Sequence, residues 1–102
     1  MRREVFWSRA ALNDLKQQIK YIADDNPLAA KRVAEALDIT ASKLAIRSTG
    51  RPGRVSGTFE KSVPYLPFVI AYALDDITSP ARLVVLRIIH TARDWRAGNW
   101  PK

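Results

Sequence analysis

Apolar residues recur at helical spacing in the first half of the chain and at strand spacing in the second, with the change of period between Ser48 and Gly57. Glu4 to Trp7 is a short β-prone run, and Ser8 directly after it suits the N-cap of a helix. From Arg9 to about Ala23, Leu12, Leu15, Ile19 and Ile22 form one apolar stripe, while Asn13, Lys16, Gln17 and Lys20 face away. This predicts an amphipathic helix. The segment Asp24-Asp25-Asn26-Pro27 ends it and opens another, because Asn26 can cap and Pro27 tolerates the first helical position, where its missing N–H costs nothing. Ala30, Val33, Leu37, Ala41 and Leu44 mark a second stripe, with Gly50 past its end. So short a connection predicts an antiparallel helical hairpin packed stripe to stripe.

Ser48 to Gly57 holds three of the four glycines and reads as a loop carrying Arg51 and Arg54. Thr58 to Val63, Phe68 to Leu74 and Arg82 to His90 read as strands separated by proline-containing turns, and short links between consecutive strands favour antiparallel pairing. The predicted fold is therefore α+β, in the order β-α-α-β-β-β, with the hairpin on one face of a small, mainly antiparallel sheet. Residues 1–102 make a single domain, one modest core being all that this length supports. The tail from Ala92 to Lys102 reads as a short helix or an extended arm.

The run Leu83 to Ile89 is apolar except for Arg87, and a guanidinium in an apolar strand needs water or an anion. Strict alternation puts Leu83, Val85, Arg87 and Ile89 on one face and Val84, Leu86, Ile88 and His90 on the other. Arg87 then marks the face the helices leave open. The alternative is a structural ion pair with Asp75, Asp76 or Glu60.

Lys and Arg number 17 against 10 Asp and Glu, so the formal net charge is +7 and the surface field should attract polyanions or acidic protein segments. The chain has no cysteine, which excludes disulfides, thiolate nucleophiles and cysteine-bound zinc and fits a reducing cytosol. With one histidine and no carboxylates at ligand spacing, no metal or cofactor is expected. No run approaches the roughly 20 apolar residues of a membrane span, and the start lacks a signal peptide's apolar stretch. The expectation is a soluble, unprocessed cytoplasmic protein.

His90 has the residue type for proton transfer at neutral pH, although a histidine at a strand end also serves simply as a hydrogen-bonding residue. Gly50 to Arg54, GRPGR, lacks the lysine and the serine or threonine of a phosphate-binding loop, and no helix follows it. With Arg51, Arg54, Lys61, Arg82, Arg87 and Arg93 the chain can present one positive surface to phosphates or to an acidic peptide. Of the three tryptophans, Trp7 and Trp95 read as core, and Trp100 as the exposed one available for binding.

Three segments, WSRAALNDLKQQIKYIADDNPLAAKRV from Trp7, GRPGRVSGTFE from Gly50 and LRIIHTARDW from Leu86, resemble the RelE/ParE superfamily of type II toxins, and its ParE-like (plasmid stabilisation) branch in particular. The resemblance spans almost the whole chain in order. It implies a small α+β toxin neutralised by a cognate antitoxin whose acidic, otherwise disordered C-terminal segment folds onto it. ParE-like members are associated with poisoning DNA gyrase. RelE-like members resemble metal-independent endoribonucleases that cut messenger RNA on the ribosome, with basic residues and a histidine, tyrosine or further lysines. Arg87 occupies the last-strand arginine position of the superfamily and His90 lies near where some ribonucleases carry a histidine. No tyrosine follows His90, and the strand region offers only Lys61 as a lysine. The resemblance thus favours a gyrase-directed toxin, with a ribonuclease using Arg87 and His90, or an inactive antitoxin-binding remnant, as the alternatives.

Overall fold

The computed structural model describes residues 2–92. The chain runs β1 (Glu4–Trp7), α1 (Arg9–Ala23), α2 (Pro27–Ile46), β2 (Arg51–Pro52), β3 (Phe59–Ser62), β4 (Phe68–Asp75) and β5 (Arg82–His90). The five strands form one mixed sheet in the order β1-β5-β4-β3-β2. β1 lies parallel to β5 and every other neighbour is antiparallel. The predicted α+β architecture is therefore the observed one, with one strand more than the sequence suggested. β2 is two residues of the expected loop, Arg51 and Pro52, paired with Glu60 and Phe59 at the sheet edge. A proline is tolerated there because an edge strand can spare an N–H.

Both caps are as the sequence predicts. The Ser8 hydroxyl accepts from the Ala11 N–H at 3.1 Å and donates to the Leu86 carbonyl at 3.0 Å, so one side chain starts α1 and ties it to β5. Asn26 Oδ1 accepts from the Ala29 N–H at 3.0 Å, with Pro27 as the first residue of α2. The α2 stripe is buried as expected. In α1 the stripe is displaced: Leu15, Ile19 and Ile22 pack on the core, but Ala11 is buried and Leu12 is 43% exposed. The small Ala11 lets the first turn sit close to the sheet, and Leu12 turns outward.

Gly50 does not terminate α2. The helix stops at Ile46, Arg47 is already extended, and Gly50 instead packs under Tyr72. Tyr72 is fully buried; its hydroxyl meets Ser48 Oγ at 2.8 Å and accepts from the Gly50 N–H at 3.0 Å. A Cβ on residue 50 would collide with that hydroxyl and lie within 2.8 Å of a ring carbon, so the close approach requires glycine.

β5 breaks its own alternation. Leu86 is an extra residue between the Val85–Tyr72 and Arg87–Ala71 pairs, a β-bulge that shifts the phase of everything after it. Leu83, Val85, Ile88 and His90 consequently pair with Leu74, Tyr72, Ile70 and Phe68 on the helix-covered face. Arg87 and Ile89 pair with Ala71 and Val69 and belong to the other face. Strict alternation was therefore wrong in grouping Arg87 with Leu83 and Val85, although Arg87 and His90 do lie on opposite faces.

Candidate functional site

Arg87, the sequence's chief candidate, is held by an acidic residue of α1. Its Nε donates to Asp14 Oδ2 at 2.6 Å and its Nη2 to Asp14 Oδ1 at 2.9 Å. Asp14 Oδ2 also accepts from the Ile88 N–H at 3.0 Å. β1 ends at its pairing with Val85, so past that point the outer edge of β5 is bonded by Ser8 and Asp14 in place of a strand. The guanidinium is part-buried and has both an anion and a route to solvent, which meets the requirement its sequence position raised. The partner is not Asp75, Asp76 or Glu60, as the sequence reading had it. Those three pair with Arg82, Arg3 and Arg51 respectively.

Away from the helices, register aligns Arg87, Ala71, Glu60 and Arg51 in one row across β5, β4, β3 and β2. Three strand spacings put the two arginines about 14 Å apart. Between them Glu60 is 3% exposed, accepts from the Arg54 N–H at 2.9 Å and lies 3.7 Å from Arg51 Nη2. This buried carboxylate pins the GRPGR loop to the sheet. It also neutralises part of the charge that the loop brings.

Arg82 stands at the far end of β5, with its guanidinium 4.9 Å from the centre of the Phe6 ring and 3.0 Å from Asp75. The Asp75 carboxylate closes the β4–β5 turn. It accepts from the Thr78 hydroxyl at 2.6 Å, and from the N–H groups of Thr78 and Ile77 at 3.1 and 3.2 Å. The Thr78 bonds first, and then Arg82, hold this carboxyl well below the usual carboxylate range. Arg3 lowers the Asp76 carboxyl pKa through two hydrogen bonds, and the pKa of its own guanidinium is raised in return.

Lys61 pairs with Ile70 and so faces the helix side, apart from Arg51 and Arg87. There it lines a groove with Lys43 and Arg47 of the C-terminal end of α2, two cations that the sequence reading missed. Their spacing of four residues across the end of the second apolar stripe was the available signal, although Arg47 itself is already extended. His90 packs edge-on against Phe68, 5.3 Å between ring centres, and its Nδ1 accepts from the Ala92 N–H at 3.1 Å. Arg93 and Trp100 lie outside the described residues, as do Trp95 and most of the tail. Trp7 packs against the core as expected.

Arg51 and Arg87 thus share a face with Arg82, Lys61 belongs to the opposite one, and Arg87 and His90 do not converge on a common reacting atom. The arrangement has the chemistry of charge-assisted binding to an acidic partner: guanidinium groups held in place by carboxylates, with N–H donors to spare. Among the described residues no group of three or more potential ligand side chains could hold a metal ion, and no helix is long and apolar enough to cross a membrane.

Three comparisons agree with this architecture. The solved structure described as a chromosomal ParDE toxin–antitoxin system from P. aeruginosa superposes with a TM-score of 0.72 at 21% identity, over 86% of this chain and 95% of that one. A Sinorhizobium fredii protein named "Putative toxin Y4kP" is 30% identical over 95 residues, 92% of this chain and 94% of the relative. Residues 5–95 match the family model described as the ParE toxin of the type II toxin–antitoxin system parDE. With the family pattern running from β1 through the whole sheet, the chain belongs to the ParE family of type II toxins.

Proposed function

We propose that this ParE-family toxin arrests growth by binding DNA gyrase, and that a cognate antitoxin neutralises it by folding an acidic C-terminal segment onto its basic surface. The observation that carries the reading is the separation of Arg87 from His90. RNA cleavage needs a base for the 2′-hydroxyl, an acid for the leaving oxygen and cations for the phosphorane charge, all converging on one phosphate. Here the arginine is engaged by Asp14 on one side of the sheet, and the histidine accepts a backbone N–H on the other. Protein recognition makes no such demand for convergence. Arg51, Arg54, Lys61, Arg82, Arg87, Arg93 and Trp100 are the candidate contacts for target or antitoxin, and the net charge of +7 favours an acidic partner in the cytoplasm.

A supercoiling assay with purified gyrase tests the target. Inhibition at toxin concentrations that arrest growth supports the reading, and unimpaired supercoiling at those concentrations overturns it. Primer extension on messenger RNA after toxin expression separates the ribonuclease alternative, which requires new 5′ ends. A chain that still binds an antitoxin without arresting growth is the inactive remnant.

A further inference from the structure

The groove between the C-terminal end of α2 and β3 holds Lys61 of the candidate contacts above, but its other lining residues belong to none of them. Thr40, Lys43, Leu44, Arg47, Thr49, Lys61 and Pro64 line it, and its volume is about 290 Å³. That is the small end of ligand-pocket sizes, enough for a few side chains of a docked segment. Three of the seven lining residues are cations and none is acidic. Among the described residues none of the three makes an ion pair, in contrast to Arg3, Arg51, Arg82 and Arg87. Lys43 and Arg47 offset the negative end of the α2 dipole, but Lys61 comes from a strand and has no such role. Three like charges brought together from two elements repel one another unless an anion sits between them.

The rest of the lining selects the kind of anion. The exposed Pro64 gives the groove an apolar component, and among the described residues that line it there is no aromatic ring on which a base would stack. β2 pairs only with Phe59 and Glu60, so Lys61 and Ser62 lie past its end, and among the described residues no strand closes this side of β3. We infer that this groove seats a partner's peptide segment in which carboxylates alternate with apolar side chains, the carboxylates on Lys43, Arg47 and Lys61 and an apolar side chain against Pro64. The inference rests on the proposal that the toxin is neutralised by an acidic segment, and it adds the place and the side-chain pattern.

The test uses the full-length ¹⁵N-labelled chain from cell-free synthesis, titrated with a short synthetic peptide of alternating glutamate and leucine. Amide shifts should cluster at residues 40–49 and 61–64. Lys43→Glu/Arg47→Glu should weaken binding about tenfold while the remaining amide spectrum stays folded. Lys61→Gln, a milder change at a half-buried position, should weaken it in the same sense, as should glutamine in place of glutamate in the peptide. Shifts mapping elsewhere, or affinity unchanged in both variants, would overturn the assignment, as would tighter binding of an oligothymidylate of equal charge. Loss of neutralisation by an acidic antitoxin segment would leave these peptide shifts standing, and absent shifts would leave neutralisation standing, so the two readings fail separately.

Discussion

Arg87 and Asp14 are 73 residues apart in sequence and joined by two hydrogen bonds, one of 2.6 Å and one of 2.9 Å, while the same carboxylate caps the Ile88 N–H. The pair fastens the first half of α1 to the bulged part of β5, past the end of its pairing with β1. Arg87 is therefore a residue of the fold before it is a residue of any binding surface. Asp14→Ala should destabilise the protein by about 2 kcal/mol in urea unfolding, since it strands a part-buried guanidinium and a backbone N–H together. Asp14→Asn keeps an acceptor for Ile88 and should cost less. Equal losses in the two variants would show that the ion pair carries the whole effect and the Ile88 bond none.

The same pair dictates how an Arg87 variant is interpreted. Arg87→Ala leaves the Asp14 carboxylate without its cation, so reduced toxicity should be accompanied by a lower urea midpoint. Arg87→Lys keeps the charge but cannot form the two-pronged contact, and should fall between wild type and alanine in stability.

His90 plays no part in the proposed activity. His90→Ala should leave growth arrest and gyrase inhibition unchanged, with a stability loss of about 1 kcal/mol for the lost edge-on contact with Phe68. Growth arrest abolished in a variant that remains folded would point back to proton transfer.

Gly50 and Tyr72 make a sharper packing test. Gly50→Ala drives a methyl group into the fully buried Tyr72 ring and hydroxyl and should cost about 1–3 kcal/mol by thermal or urea unfolding. Tyr72→Phe relieves no clash and deprives Ser48 and Gly50 of a hydrogen-bond partner, for about 1 kcal/mol. A neutral Gly50→Ala would mean that the loop has room to move away.

Asp75 sets a pH dependence with a definite sign. Its folded-state pKa is depressed, so its contribution is fully present above the unfolded carboxylate value of about 3.9 and is lost as pH falls below that toward the folded value. Asp76, lowered by Arg3, acts in the same direction. The stability gap between wild type and Asp75→Asn should be constant from neutral pH down to about 5 and should close progressively below about 4. A gap that widens on acidification would contradict this sign.

Local chemistry was enough to predict both helices from the sequence, because a period of 3.6 and the caps Ser8 and Asn26-Pro27 are short-range signals. Strands β1, β3, β4 and β5, the hairpin and the family likeness were legible on the same grounds, as was the oddity of Arg87. Tertiary structure alone decided the rest. β2 exists only through its bonds to β3, and the parallel pairing of β1 with β5 joins the two ends of the described fold. The Leu86 bulge changed which side chains share a face, and no alternation pattern announces an extra residue whose partner lies on another strand. The role of Asp14, the true partners of Glu60 and the meeting of Lys43 and Arg47 with Lys61 were invisible for the same reason. The sequence shows which charges a chain carries, and only the folded chain shows which of them meet.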